Sequence, residues 1–110
     1  MLIILFNIVE LQKLCNDESI AITKHVRQRL IERSITIADV QNAIRTGETI
    51  KQYEDDKPFP SCLLLGKTEQ DSFIHVVVSV DAKYLYIITA YYPNENEWES
   101  DLKTRKAEKS

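Results

Sequence analysis

Ser72-Phe73-Ile74-His75-Val76-Val77-Val78-Ser79-Val80 is the stretch on which the fold turns. Ile74, Val76, Val78 and Val80 fall on one side of an extended chain, an unbroken apolar row that other elements must cover. Phe73, His75, Val77 and Ser79 fall on the other side, a mixed face open to a ligand. Downstream, Asp81-Ala82 is a turn into a second strand, Lys83–Ala90, which runs on through Tyr91-Tyr92-Pro93. Upstream, Thr68-Glu69-Gln70-Asp71 reads as a hairpin turn from the buried strand Ser61–Lys67, with Cys62, Leu63, Leu64 and Leu65. A mixed strand, Glu48–Glu54, precedes the Pro58-Phe59-Pro60 loop. Connections this short force antiparallel neighbours, so the second half predicts a four-stranded antiparallel sheet.

Before Gly47 the period is helical. Residues 7–16 place Ile8, Val9, Leu11, Leu14 and Cys15 at helix-compatible spacing. Ile22, Val26 and Leu30 form an apolar row at i, i+4 and i+8, with Thr23 placed to cap that helix. Thr36 with Asp39 is a variant capping box for a further short helix, which Gly47 ends after Arg45. Two to three N-terminal helices followed by strands give the α+β class.

A chain of 110 residues is one domain, and 44% apolar with 28% charged residues is the balance of a soluble globular protein. Cys15 and Cys62 are too few for a disulfide framework and read as reduced thiols. The apolar start, Met1 to Ile8, lacks a basic leader and falls far short of the roughly 20 residues of a membrane span, so it reads as a core-packing segment. These features predict a cytoplasmic protein with no membrane partner. The run from Leu102 to Ser110 is charged and reads as a frayed tail. Oligomeric state leaves no trace in the sequence.

Net charge is −3 and the pI near 5.4, which counts against nucleic-acid binding by the whole surface. Charge is segregated, however. From Ile22 to Lys51, Lys24, Arg27, Arg29, Arg33, Arg45 and Lys51 face only Glu32, Asp39 and Glu48, a local excess of three positive charges. Acidity gathers in Glu54-Asp55-Asp56 and in Glu95, Glu97, Glu99 and Asp101. An acidic protein can therefore carry a basic site.

His25, Arg29 and Arg33 lie at i, i+4 and i+8, one row about 60° from the apolar row. Side chains at that margin are partly desolvated yet reach a cleft, a setting for an imidazole and for guanidinium groups that grip phosphate. A solvated cationic flank fits the same spacing. His75 is either a ligand-facing group or a structural histidine. Thr89 and Tyr91 share a face, and Tyr92 takes the opposite one; such tyrosines stack on bases, donate to phosphate, or cap a sheet edge. Trp98 reads as a packing anchor for the tail. No phosphate-binding glycine loop, H-E-x-x-H, zinc spacing or nucleophile elbow occurs, so neither metal nor cofactor is expected.

The stretch Ile22-Thr23-Lys24-His25-Val26-Arg27-Gln28-Arg29-Leu30-Ile31-Glu32-Arg33-Ser34-Ile35-Thr36 resembles domain-of-unknown-function family 4258 (DUF4258). So do Gly47-Glu48-Thr49-Ile50, Pro60 to Gly66, His75-Val76-Val77-Val78 and Thr89 to Pro93. The likeness covers about residues 20–98, with Ser34 standing where the family often has glycine. It implies a fold akin to the barnase and RelE-type ribonucleases, often toxins with an antitoxin partner. The implied chemistry is metal-independent RNA cleavage, by attack of a 2′-hydroxyl on the adjacent phosphate. His25 or His75 would move the proton, since histidine as a residue type titrates near 6.5. Arg29 and Arg33 would stabilise phosphoryl charge, and Tyr91 would orient the phosphate. Lys24, Arg27, Thr89 and Tyr92 would contact substrate. The alternative is a non-catalytic module that docks an acidic protein partner on the same His/Arg row.

Overall fold

The alternating run becomes the middle strand of the sheet. A computed structural model describes residues 8–16, 18–55, 59–81 and 83–106. Its elements are α1 (Ile8–Lys13), β1 (Ile20–Ala21), α2 (Lys24–Glu32), α3 (Ile37–Thr46), β2 (Glu48–Tyr53), β3 (Ser61–Lys67), β4 (Phe73–Val80) and β5 (Leu85–Tyr91). The sheet order is β1-β5-β4-β3-β2, with β2 to β5 antiparallel as the short turns require. The fold class is α+β. The apolar start, residues 1–7, lies outside the described residues, as does Ala82 in the β4–β5 turn.

The sheet has five strands and is mixed, which corrects the four-stranded antiparallel expectation. Ile20 and Ala21 pair in parallel with Leu85 and Tyr86. The Leu85 amide donates to the Ser19 carbonyl at 2.8 Å. Two residues carry no periodicity, so nothing in the sequence marks β1 as a strand.

One face of the sheet presents Cys62, Leu64, Ile74, Val76, Val78, Leu85, Ile87 and Ala90 to the helices, all buried. Leu11, Cys15, Leu30, Ile35, Val40, Ala43 and Ile44 cover them. Thr23 caps α2 by accepting from the Val26 amide at 3.1 Å. Thr36 and Asp39 close a reciprocal capping box on α3. Asp39 is buried, which works to raise its pKa, but amide hydrogen bonds from Thr36 and Glu69 outweigh that and leave it below the usual value.

The second face forms cross-strand rows. Glu48, Leu65, His75 and Tyr91 make one row; Lys51, Leu63, Val77 and Thr89 make the next. A bulge at Ile88 keeps Thr89 and Tyr91 on this face while Ile87 and Ala90 stay on the helical one. Residues 94–106 fold back over the first row. Trp98 is buried there, and Lys103 pairs with Glu48. Trp98 bridges to Arg105, and the Lys106 amide donates to the Glu97 carbonyl at 2.9 Å. The stretch that charge alone marked as a frayed tail is thus tied to the body at Leu102 and Lys103 and hydrogen-bonded within the C-terminal segment through residue 106; residues 107–110 lie outside the described ones.

A candidate phosphate site on the second face of the sheet

α2 ends in a Schellman turn. The Ile35 amide donates to the Leu30 carbonyl at 2.9 Å and the Ser34 amide to that of Ile31 at 3.1 Å. Ser34 occupies the left-handed region at φ 58°, the conformation for which glycine is suited. Arg33, the C-cap, is thereby turned toward the sheet. Its Nη1 donates to Thr89 Oγ1 at 3.1 Å and to the Ala90 carbonyl at 2.9 Å. β1 pairs only as far as Tyr86, so among the described residues the outer side of Ile87–Tyr91 has no strand partner, and Arg33 occupies part of that edge.

His75 is fully buried on the second face. Its Nε2 lies 2.7 Å from the Leu102 carbonyl and its Nδ1 3.3 Å from the Tyr91 hydroxyl. A carbonyl can only accept, so Nε2 carries the proton and Nδ1 accepts from Tyr91. Burial lowers the His75 pKa, opposed in part by the Leu102 hydrogen bond. Leu102 holds φ 60°, an uncommon angle for a leucine, at the carbonyl that meets this imidazole. Tyr91 and Trp98 meet the His75 ring edge-on, with centroids 5.3 and 4.5 Å away.

The Tyr91 hydroxyl sits among charges. Burial and neighbouring Tyr53 raise its pKa, with Glu97 acting in the same sense, while Arg105 and Arg33 pull it down. The net shift is upward, so Tyr91 is a phenol at neutral pH, and its one proton is the one donated to His75 Nδ1. Arg105 lies over the Trp98 ring, its guanidinium carbon 5.4 Å from the centroid, and its Nη2 is 3.4 Å from Glu97 Oε2.

The tertiary structure therefore joins Arg33, Thr89, Tyr91 and His75. Lys24, His25, Arg27 and Arg29 remain exposed along α2, with no side-chain hydrogen bond or ion pair among the described residues. His25 lies eight residues before Arg33, about 12 Å along the helix axis. Tyr92 is exposed just past the end of β5. Trp98 does pack, as its residue type suggested, but onto His75; Arg105 belonged to a stretch with no pattern to single it out. A lone tryptophan in a charged run was the one available signal.

Two other features carry less chemistry. An apolar groove of about 470 Å³ beside β1 and α2 includes the Ser79 and Tyr86 hydroxyls. Both are committed, Ser79 to the Pro60 carbonyl at 2.6 Å and Tyr86 to Asp81 at 2.6 Å. Cys15 and Cys62 are buried and unbridged, and burial pushes the Cys62 thiol up to about 12, so it is inert. Among the described residues, no group of three His, Cys, Asp or Glu side chains could hold a metal ion. No helix among them is long and apolar enough to cross a membrane.

Comparison with curated proteins returns no match, and neither does comparison with solved structures. A family model described as a domain of unknown function, DUF4258, matches residues 22–92, from the start of the α2 row to the end of β5. The chain belongs to the DUF4258 family.

Proposed function

We propose that this protein is a metal-independent endoribonuclease of RelE/barnase-like fold, acting as a toxin. The observation that carries the reading is the Arg33 clamp. It brings the end of the cationic row of α2 onto β5, two residues from Tyr91, whose hydroxyl is held by His75. A phosphodiester lying there meets the remaining edge of the Arg33 guanidinium beside the Tyr91 ring, with Arg29 and the exposed imidazole of His25 farther along the helix.

In the reaction, the 2′-oxygen bonds to phosphorus as the bond to the 5′-oxygen breaks. His25 is the proton carrier of this reading, because it is exposed and without a described partner, whereas both ring nitrogens of His75 are engaged. It takes the 2′-hydroxyl proton, and water protonates the leaving oxygen. Products are a 2′,3′-cyclic phosphate and a 5′-hydroxyl. Arg29, one turn from His25, stabilises charge on the phosphoryl oxygens, while Arg33, about 12 Å from His25 along the helix, and Tyr91 position the strand at a neighbouring phosphate. His75 is a positioning residue here.

The test is incubation of purified protein with RNA in excess chelator, beside His25→Ala and Arg29→Ala. Expected is cleavage leaving cyclic phosphate ends, reduced about 10²–10⁴-fold by His25→Ala. Intact RNA with all three proteins folded would sink the proposal. The closed state of His75 favours a second reading, in which the exposed Lys24, Arg27 and Arg29 dock an acidic partner such as an antitoxin. Unchanged RNA together with normal growth on expression selects that reading.

A further inference from the structure

The C-terminal segment brings a cation to the ring cluster around His75 and Tyr91, next to the β5 edge that Arg33 reaches from α2. Arg33 comes from a helix end and reaches Thr89 and Ala90. Arg105 comes from the segment that covers the Glu48–Leu65–His75–Tyr91 row, and it stacks over Trp98. Trp98 in turn rests edge-on against His75, which holds the Tyr91 hydroxyl. We infer that Arg33 and Arg105 together clasp one phosphodiester group of single-stranded RNA over Tyr91, so that residues 94–106 complete the binding site. The inference rests on the RNA-directed reading above and narrows it to one phosphate and two arginines.

Three observations support it. First, Arg33 is anchored through Nη1 alone, leaving the donors on Nε and Nη2 without a described protein partner. A guanidinium fixed by one nitrogen presents its remaining edge in a set orientation, which suits paired phosphate oxygens. Second, Arg105 is oriented by its stacking on buried Trp98, yet its side chain is 61% exposed. Its acidic partner is a single contact at 3.4 Å to Glu97, itself 52% exposed, well beyond the distance of a strong charge-assisted hydrogen bond. A phosphate can displace so weak a partner. Third, the Tyr91 hydroxyl lies within the electrostatic reach of both arginines and of Glu97. Glu97, which contacts Arg105 at 3.4 Å, is the group that a bound phosphate displaces.

The segment also explains why an acidic protein retains a phosphate site. Glu95, Glu97, Glu99 and Asp101 stand close in sequence to Arg105, so binding is confined to the clasp and the surrounding surface repels a polyanion. Glu97 then acts as a brake on affinity, and its removal is the informative variant.

The experiment measures fluorescence anisotropy of a short single-stranded RNA whose 2′-hydroxyls are methylated, which prevents cleavage. Inorganic phosphate is the competitor. Wild type, Arg105→Gln, Glu97→Gln and a charge-matched surface control, Lys83→Gln, are compared after melting curves confirm their fold. Expected are a loss of roughly tenfold in affinity for Arg105→Gln, a gain of a few-fold for Glu97→Gln, and no comparable change for Lys83→Gln. Phosphate should compete with wild type and much less with Arg105→Gln. Equal affinity of Arg105→Gln and wild type overturns the clasp, and so does an equal loss in Lys83→Gln, which would mean general charge attraction. Should Arg105→Gln fail to fold, Glu97→Gln decides alone: unchanged or weaker binding counts against the inference. Binding that follows the expected order while native RNA stays uncut would sink the nuclease reading and leave the clasp. Cleavage that proceeds with Arg105→Gln binding normally would do the reverse.

Discussion

At Ser34 the backbone stands at φ 58°, where an L side chain crowds the following carbonyl. The Schellman turn needs a left-handed residue between Arg33 and Ile35, a place for which glycine is suited. Serine holds that angle at a cost of about 1–2 kcal/mol. Ser34→Gly relieves the strain but gains chain entropy when unfolded, so a net stabilisation of about 1 kcal/mol is expected. Urea unfolding should show a higher midpoint at an unchanged slope. A lower midpoint would mean that Ser34 does more than mark the turn. Because this turn directs Arg33 to β5, Ser34→Gly also tests the proposed RNA site, whose affinity should fall even as stability rises.

Among the elements, the approach of α3 to β3 is governed by missing side chains. A Cβ on Gly66 would run into the Ala43 carbonyl oxygen and lie 2.6 Å from its carbon, which is main chain and cannot rotate away. A Cβ on Gly47 would meet the same carbonyl and lie 2.8 Å from the Leu65 carbonyl oxygen. Its φ of −91° is one that any residue adopts, so its role at the end of α3 is room for close packing. Gly66→Ala should therefore destabilise by about 2 kcal/mol or more, as overpacking does. Ala43→Gly should not rescue it, since the clash is with backbone atoms. Denaturation of the single and double variants checks this; rescue by Ala43→Gly would show that the contact is with a side chain. Helix caps and strand periods were legible here because each is encoded within a few residues, as Thr36 and Asp39 illustrate. β1 was not, because its two residues become a strand only when Leu85 arrives to pair with them.

For the molecule as a whole, His75 ties the middle of the sheet to the C-terminal segment through the Leu102 carbonyl. Its folded pKa lies below that of the unfolded chain, mainly through burial. The native state thus favours the neutral ring. That contribution is complete above the ordinary histidine value of about 6.5, and it is lost as pH falls below that value toward the folded pKa. Wild-type stability should fall between pH 7 and pH 5, by at most about 1.4 kcal/mol per pH unit from this group. His75→Gln should lower stability at pH 7 and flatten the profile over that window. Thermal melts across the range check it, and parallel profiles for the two proteins would show that His75 is not the titrating link. Asp39, depressed by the amides of Thr36 and Glu69, loses its contribution only at lower pH.

The helices, the antiparallel run of β2 to β5, the apolar face of β4, the caps of α2 and α3 and the segregation of charge follow from the sequence by itself. Each is a pattern with a short period, so local sterics and the demand to bury one face suffice to impose it. The His25–Arg29–Arg33 row and the face shared by Thr89 and Tyr91 belong with them. Only the tertiary structure decided that Arg33 leaves the row to hold Ala90, 57 positions away, and that His75 closes onto Leu102, 27 positions away. It also decided that a charged C-terminal stretch folds back to set Trp98 against His75 and Arg105 over Trp98. Contacts of that reach arise from strand register, a bulge at Ile88 and a left-handed turn at Ser34 acting together, and no local pattern encodes their sum.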